Sequence, residues 1–231
     1  MTEAKQLRKI QSFVKRSGRL SKGQSLGLNE LWSDYGIDVD KSSLNFEEIY
    51  LNQNDITLEV GFGNGNSLLE MAIRQPDQNF LGIEVYEAGV GRLVNEASKK
   101  NINNLKVIKE DAVEVLENNI LDSSISNFQL FFPDPWHKKR HHKRRIVQMS
   151  FLDLLSKKLK DHGIVHIATD WENYAEHIME TLESHPYFKN CAGTHRYSLR
   201  PEYRPLTKFE NRGQKLGHGI WDIIFTNIKG G

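Results

Sequence analysis

From residue 56 onward, short apolar segments alternate regularly with longer amphipathic ones. The short segments are rich in Val, Ile, Leu and Phe and have the length of strands, whereas the longer ones carry apolar residues at helical spacing. Strands that alternate with helices form parallel sheets through right-handed crossover connections. The alternation therefore predicts a doubly wound, mostly parallel α/β sheet.

The predicted elements follow one another with short connections. Strands are expected within 56–63, 80–85, 105–112, 128–135 and 163–170, with a closing strand within 218–226. Helices are expected within 66–75, 86–100, 146–160 and 171–184, the first of them capped by Asn66 or Ser67. In such sheets ligands bind at the carboxyl ends of the strands.

The domain organisation predicted from length and composition is simple. A chain of 231 residues with 38% hydrophobic content can bury one sizeable core. Residues 1–50 lack sustained periodicity and are interpreted as a basic N-terminal arm and lead-in, and residues 51–231 as one domain. No apolar run approaches the roughly 20 residues of a membrane span, and no signal-peptide pattern is visible. A cytoplasmic location is therefore expected.

Positive charge is concentrated in two segments although the net charge is only +1. Residues 1–23 contain seven Lys or Arg and one acid, and residues 137–145 contain six Lys or Arg and no acid. The rest of the chain must therefore be net acidic. Segregation of this kind is typical of a protein that presents basic patches to a polyanion, and nucleic acid is the expected partner.

A glycine-rich turn, "GFGNG", follows the first predicted strand and contains Gly61, Gly63 and Gly65. A dinucleotide-binding turn would need a third glycine at position 66, which is Asn66. The spacing suits a nucleoside ligand that needs no phosphate seat, such as S-adenosylmethionine, although a tight turn without a ligand would look the same.

Acidic residues lie near the ends of the first three predicted strands. Glu84 is placed where a carboxylate can accept both ribose hydroxyls of an adenosine. Asp111 could accept from an adenine amino group, and Glu59 could face the amino-acid portion of the cofactor. Together with the glycine turn, these three acids predict a nucleoside-cofactor site.

The fourth predicted strand ends in "FFPDPWHKKRHHKRR" (131–145). Two prolines remove backbone donors on both sides of Asp134 and restrict its backbone, so the carboxylate is expected to face outward as an acceptor. Trp136 could stack on a base or pack beneath it. The cations that follow could hold phosphates, and their charge argues against a metal site at the neighbouring histidines.

At this point the sequence resembles the bacterial tRNA (guanine-N7-)-methyltransferases. The resemblance covers nearly the whole chain and is carried by "SFVKRSGRLSKGQ", "LEVGFGNG", "FLGIEVYEAGVG", "FFPDPWHKKRHHKRR", "ATDWENYAEHIME" and "RPLTKFENRGQKLGHGIWDIIF". It implies a Rossmann-like class I methyltransferase fold. It also implies methyl transfer from S-adenosylmethionine to N7 of guanine 46 in the variable loop of tRNA, by a monomer or homodimer without metal.

The resemblance also implies roles for individual residues. The catalytic residue is Asp134, which contacts the cofactor together with Glu59, Glu84 and Asp111. The residues expected to contact the substrate are Lys138, Asp170, Thr207, Lys208, Phe209 and Glu210. The residues expected to bind RNA are Arg140, His141, His142, Lys143, Arg144 and Arg145.

Three other functions remain open on the residues alone. An N6-adenine methyltransferase also joins an acid, a proline and an aromatic residue in one motif. A non-catalytic RNA-binding subunit could keep a vestigial cofactor site, but the intact acids at the strand ends argue against it. A nicotinamide-dependent oxidoreductase is disfavoured by Asn66.

Overall fold

A computed structural model describes residues 11–14, 18–40, 42–206, 210 and 219–229. Within these residues the chain forms a seven-stranded sheet of order β3-β2-β1-β4-β5-β7-β6. Strands β1 to β5 pair in parallel, and β7 runs antiparallel to both β5 and β6. The strands are β1 (Ile56–Val60), β2 (Asn79–Ile83), β3 (Leu105–Ile108), β4 (Ile125–Phe131), β5 (Leu159–Thr169), β6 (Phe188–Asn190) and β7 (Trp221–Asn227).

Helices connect the parallel strands, and all but the one between β3 and β4 were predicted from the sequence. The described helices are α1 (Lys22–Asn29), α2 (Trp32–Tyr35), α3 (Phe46–Tyr50), α4 (Asn66–Arg74), α5 (Glu87–Lys99), α6 (Ala112–Asn118), α7 (Met149–Lys158) and α8 (Glu172–Glu183). A short 3₁₀ helix, Lys139–Arg144, lies between β4 and α7. The doubly wound, mostly parallel fold is confirmed.

The predicted cap of α4 is wrong. The N-cap residue is Gly65, which adopts the left-handed conformation with φ of 72° and makes no side-chain capping bond. Asn66 is the first residue of the helix, and Arg92 donates to its side-chain oxygen over 2.6 Å. A helix that starts directly from the glycine turn leaves no room for a separate capping residue.

The central strands are covered on both faces. Every residue of β1 and β2 is buried, which explains their nearly continuous apolar sequence. Successive residues of β2 belong to different core clusters. Leu81 is in the cluster that includes residues of α6, α7 and α8, whereas Phe80 is in the cluster that includes residues of α4 and α5. The sheet therefore separates two layers of helices.

The strand order reverses between β1 and β4. The chain moves outward from β1 through β2 to β3, then returns to the other side of β1 for β4 and β5. Crossover connections on either side of this point leave a crevice beyond the carboxyl ends of β1 and β4. This crevice is the expected position of a ligand.

Part of the lead-in is helical and packs against the body. In α1, a Cβ added at Gly27 would lie 2.1 Å from the carbonyl oxygen of Gly91 in α5, so the two backbones touch. A capping box formed by Ser21 and Gln24 starts α1. The domain boundary near residue 50 stays a prediction, and residues 1–10 of the predicted arm lie outside the described residues.

The helices of the described residues include none that is both long and apolar enough to cross a membrane.

Candidate active site

A cavity of about 420 Å³ lies at the point where the strand order reverses. Its walls come from the ends of β1, β2 and β4, the residues after β3, and the N-terminal segment 12–14. The volume falls within the range of small-molecule sites. The acidic lining residues are Glu84, Glu110, Asp111 and Asp134, and the described lining residues include no Lys, Arg or His. The cavity is therefore suited to a cationic ligand.

The glycine turn divides into two parts. Gly61 and Gly63 line the cavity with φ angles of 72° and 56°, and a Cβ added at either would meet no atom of the described residues within 4 Å. At these two positions the turn presents backbone to the cavity, and Asn64 of the same turn also lines it. Gly65 packs elsewhere, because a Cβ there would lie 2.8 Å from the side chain of Leu93 in α5.

The carboxylate of Glu84 is held by backbone donors. Its Oε2 accepts from the amide of Gly63 over 2.8 Å, and its Oε1 accepts from Val85 and Tyr86 over 2.7 and 3.0 Å. These bonds fix the glycine turn to the end of β2. Glu84 thus supports the cavity wall as well as lining it, which strand periodicity alone does not reveal.

Glu59 lies within β1 and is only 2% exposed. Its Oε2 has no hydrogen-bond partner among the described residues. Burial, together with the nearby charge of Glu84, raises the pKa of Glu59 to about 8. Glu59 is not part of the cavity wall itself, but it is a buried carboxyl group with an oxygen still able to accept a bond.

Asp111 lines the cavity and also begins the next helix. Its side chain accepts from the amide of Val113 over 2.9 Å and caps α6. One oxygen therefore satisfies a helix N-terminus, and this capping role explains why α6 starts directly after β3. Sequence reasoning placed Asp111 at the strand end but missed α6.

Asp134 is exposed at the rim of the cavity, in a loop with an unusual backbone. Phe132 and Trp136 flank it with φ angles of 53° and 49°, a conformation that side chains of this size rarely adopt. The amide of Phe132 donates to Ala168 on β5 over 2.7 Å. This bond and the two prolines fix the path of the loop.

Arg145 departs from its predicted role in RNA binding. It is 3% exposed, and its guanidinium donates to the carbonyl of Pro135 and to the side chain of Asn173, both over 2.9 Å. It also lies 4.7 Å from the ring centroid of Tyr174. A buried cation with these contacts fixes the loop after Asp134 and offers no free face to a phosphate.

The remaining cations of the run differ in exposure. Lys138, Lys139, Arg140 and Lys143 are exposed, whereas His141 and His142 are half-buried. Burial and then the neighbouring cations lower the pKa of His141. The free positive charge of the segment therefore resides in the four exposed side chains.

Arg144 and Trp136 hold the N-terminal segment over the cavity. Arg144 donates to the carbonyls of Gln11 and Phe13 over 3.0 and 3.1 Å, and the indole N–H of Trp136 donates to Ser12 over 3.1 Å. The guanidinium of Arg144 lies 3.7 Å from the ring centroid of Trp136. One face of Trp136 is thus covered, and sequence reasoning did not anticipate this contact.

Glu210 belongs to a buried charged cluster. It is 2% exposed, and Arg204 donates to its Oε1 over 2.7 Å. Arg204 also donates to both oxygens of Asp222, over 2.7 and 2.9 Å, and Asp222 pairs with His166 over 2.7 Å. Tyr203 closes the cluster through its hydroxyl, which lies 2.9 Å from the second ring nitrogen of His166.

The cluster joins the C-terminal part of the chain to β5 and β7, and its charged groups shift the pKa of Asp222. Burial raises the pKa of Asp222, but the bonds from His166 and Arg204 outweigh it, so its pKa lies below the usual range. Asp170 and Lys138 are exposed, the first directly after β5 and the second directly before the 3₁₀ helix. Thr207, Lys208 and Phe209 lie outside the described residues.

Solved structures and a family model identify the fold. The Methyltransf_4 model, described as "Putative methyltransferase", matches residues 53–223. The crystal structure of the 16S rRNA methyltransferase KamB matches with a TM-score of 0.56 over 96% of this chain and all of that one, at 15% identity. An antibiotic-related methyltransferase matches with a TM-score of 0.55 over 82% of this chain and 94% of that one, at 16% identity. The chain therefore belongs to the family that this model describes and has the fold of these methyltransferase structures.

Curated relatives give the particular family. A tRNA (guanine-N(7)-)-methyltransferase of Shewanella amazonensis is 54% identical over 223 residues, which are 96% of this chain and 94% of the relative. One of Pseudoalteromonas translucida is 52% identical over 227 residues, 98% and 94% of the two chains. The chain belongs to the tRNA (guanine-N(7)-)-methyltransferase family.

Proposed function

We propose that this protein transfers a methyl group from S-adenosylmethionine to N7 of a guanine in tRNA, at position 46 of the variable loop. The observation that carries the proposal is the acid-lined cavity at the strand switch point, bordered by a cationic surface, in a chain of this family. We also propose that the enzyme is cytoplasmic, because its proposed substrate is tRNA. A monomer or homodimer remains the expected state.

The residues present fit S-adenosylmethionine. The ligand is cationic at its sulfonium and amino groups, and the described cavity wall has four carboxylates and no Lys, Arg or His side chain. Glu84 and Asp111 would hold the nucleoside portion, beside the open wall made by Gly61 and Gly63. The fourth predicted acid, Glu59, is buried in β1 and would contribute an acceptor oxygen, Oε2, which has no partner among the described residues. When bound, S-adenosylmethionine supplies the methyl group from a positively charged sulfur.

The same lining argues against a dinucleotide. A pyrophosphate carries negative charge and needs a helix N-terminus or basic groups, whereas this cavity is acidic. The cations lie outside it, on the 3₁₀ helix that follows Asp134. An acidic cavity suits the cationic S-adenosylmethionine, and a cationic surface outside it suits RNA. Methyl transfer to RNA brings these two ligands together.

The chemistry asks for alignment more than for acid–base catalysis. Guanine N7 already carries an in-plane lone pair, so no base is needed to create the nucleophile. The protein must hold the base in line with the methyl group, and effective molarity from such positioning lowers the barrier by several kcal/mol. Positive charge then develops on the purine, and the fixed carboxylate of Asp134 at the rim stabilises it.

The test is nucleoside analysis of tRNA before and after incubation with the purified protein and S-adenosylmethionine. The expected product is N7-methylguanosine, mapped to position 46 by cleavage at the modified base. N6-methyladenosine would instead assign the adenine alternative. No methylated nucleoside, with tRNA binding retained, would assign the non-catalytic RNA-binding subunit.

A further inference from the structure

An exposed tryptophan follows the carboxyl end of β5 and has no role in the arrangement described so far. Trp171 is 41% exposed and directly precedes α8. Trp136, the aromatic that the sequence suggested for base stacking, has Arg144 over one face and donates its N–H to Ser12. Trp171 therefore has the exposed indole surface that Trp136 lacks on its covered face.

The register of the sheet places Trp171 beside Asp134. Strands β4 and β5 are paired in parallel up to Phe131 and Ala168. Asp134 and Trp171 each lie three residues beyond that last pair, so they leave neighbouring strands at the same level. His137, which follows Asp134 in the same loop, contacts Trp171 edge-on with ring centroids 4.1 Å apart and an interplanar angle of 71°.

The backbone of Trp171 is fixed although its side chain is exposed. Its amide donates to the hydroxyl of Thr169 over 3.3 Å, and its carbonyl accepts from Tyr174 and Ala175, both over 2.9 Å. An aromatic ring held in this way loses little conformational freedom when a ligand stacks on it. Isolated exposed apolar residues are common, but this one contacts His137, which lies in the loop between Asp134 and the exposed Lys138.

We propose that Trp171, supported by His137, is the stacking surface for the purine that enters the site beside Asp134. The inference rests on the proposed function. Bases stack on aromatic side chains in single-stranded and flipped-out nucleic acid, because every base has a π face. The cations of the 3₁₀ helix hold the phosphates, and Trp171 holds the base.

The experiment compares Trp171→Ala, Trp171→Leu and Trp171→Phe in methylation of tRNA under single-turnover conditions. Loss of one base–aromatic stack lowers kcat/KM by about 5- to 150-fold. We expect this loss in the Ala variant and in the Leu variant, which keeps apolar volume without a π face, whereas the Phe variant stays within a few-fold of the parent. Cofactor affinity by calorimetry stays unchanged in all three.

Tyr187 provides a matched control. It is also 41% exposed and also contacts a histidine edge-on, His185 at 5.6 Å, but it precedes the edge strand β6, two strands away from β5. Tyr187→Ala is expected to leave kcat/KM unchanged.

A second measurement separates stacking from charge. Because stacking involves no phosphate, the dependence of log affinity on log salt stays the same in the Trp171 variants.

Two results would overturn the proposal. Equal rates for Trp171→Ala and the parent would remove Trp171 from substrate binding, and equal losses in the Phe and Ala variants would show that the indole packs rather than stacks. If the parent protein itself methylates no tRNA, the proposed function fails instead, and the two failures are thereby distinguished.

Discussion

At the scale of single residues, the four predicted carboxylates have four different environments. Glu84 is held by three backbone amides, Asp111 caps a helix and Asp134 is exposed. Glu59 is buried, and its Oε2 has no partner within the described part of the chain. Their positions near strand ends could be predicted from the sequence, because strand periodicity fixes where each strand stops. Their environments could not, since these depend on loops that approach from elsewhere in the chain.

Glu59 makes stability depend on pH. Its pKa rises from an ordinary value of 4.5 to about 8 on folding, because burial disfavours the charged form. The folded state therefore binds this proton more tightly than the unfolded state. The contribution of this proton to the free energy of unfolding is fully present below the ordinary pKa. It is lost as pH rises through about 8, at about 1.4 kcal/mol per pH unit.

Denaturant unfolding of the ligand-free protein from pH 5 to 9 measures this effect. The parent minus Glu59→Gln difference in unfolding free energy should decline with increasing pH, because glutamine cannot ionise. Parallel curves for the two proteins would mean that Glu59 titrates normally.

Asp134→Asn keeps the shape of the side chain and one acceptor but removes the negative charge. Chemistry should suffer more than binding, with a turnover loss of about 10² to 10³ if the electrostatic contribution resembles other preorganised sites. Single-turnover rates with saturating tRNA and cofactor isolate the step.

The control for this variant is Asp161→Asn, at an exposed acid near the start of β5 and remote from the cavity. It should methylate at the parental rate. Near-parental turnover in Asp134→Asn as well would show that the carboxylate only shapes the loop.

At the scale of elements, the long periodic segments were predictable and the short ones were not. The strands β1 to β5, the closing strand β7, and helices α4, α5, α7 and α8 are confirmed. The strand β6 has three residues, and α2 and α3 have four and five, which is too short for a periodic signal. Helix α1 begins with a capping box at Ser21 and Gln24, but its close contact with α5 through Gly27 and Gly91 could not be predicted from the local sequence.

The buried cluster around Arg204 joins β5, β7 and Glu210, and its removal should be costly. Arg204→Met leaves the carboxylates of Asp222 and Glu210 without their guanidinium in a buried site. Breaking a buried pair in this way costs about 3 to 5 kcal/mol of unfolding free energy. Denaturant unfolding at neutral pH measures the loss.

Lys160→Met is the comparison for Arg204→Met. It breaks a pair with Asp55 whose side chains are 44% and 60% exposed, so the expected cost is no more than about 1 kcal/mol. Similar losses in the two variants would mean that the Arg204 cluster is not effectively buried.

At the scale of the whole molecule, acidic and basic side chains occupy different places. Carboxylates line the cavity, and cations occupy the surface beside it, so one chain attracts both a small cation and a polyanion. The sequence revealed the two charge classes through their segregation along the chain. It could not reveal that Arg144 and Arg145 are consumed by internal contacts, because those bonds go to residues 11–13, Pro135 and Asn173.

The exposed cations should determine the salt dependence of tRNA binding. Each phosphate contact that is lost reduces the slope of log affinity against log salt by roughly 0.7 to 0.9. The triple substitution Lys139→Ala, Arg140→Ala and Lys143→Ala should therefore weaken binding and flatten the slope by up to about three such steps. The matched control replaces Lys157, Lys189 and Lys229, which are exposed at the end of α7, in β6 and after β7, away from the 3₁₀ helix. Filter binding across a salt series measures both, and an equal flattening in the control would show that tRNA senses only overall charge, not this surface.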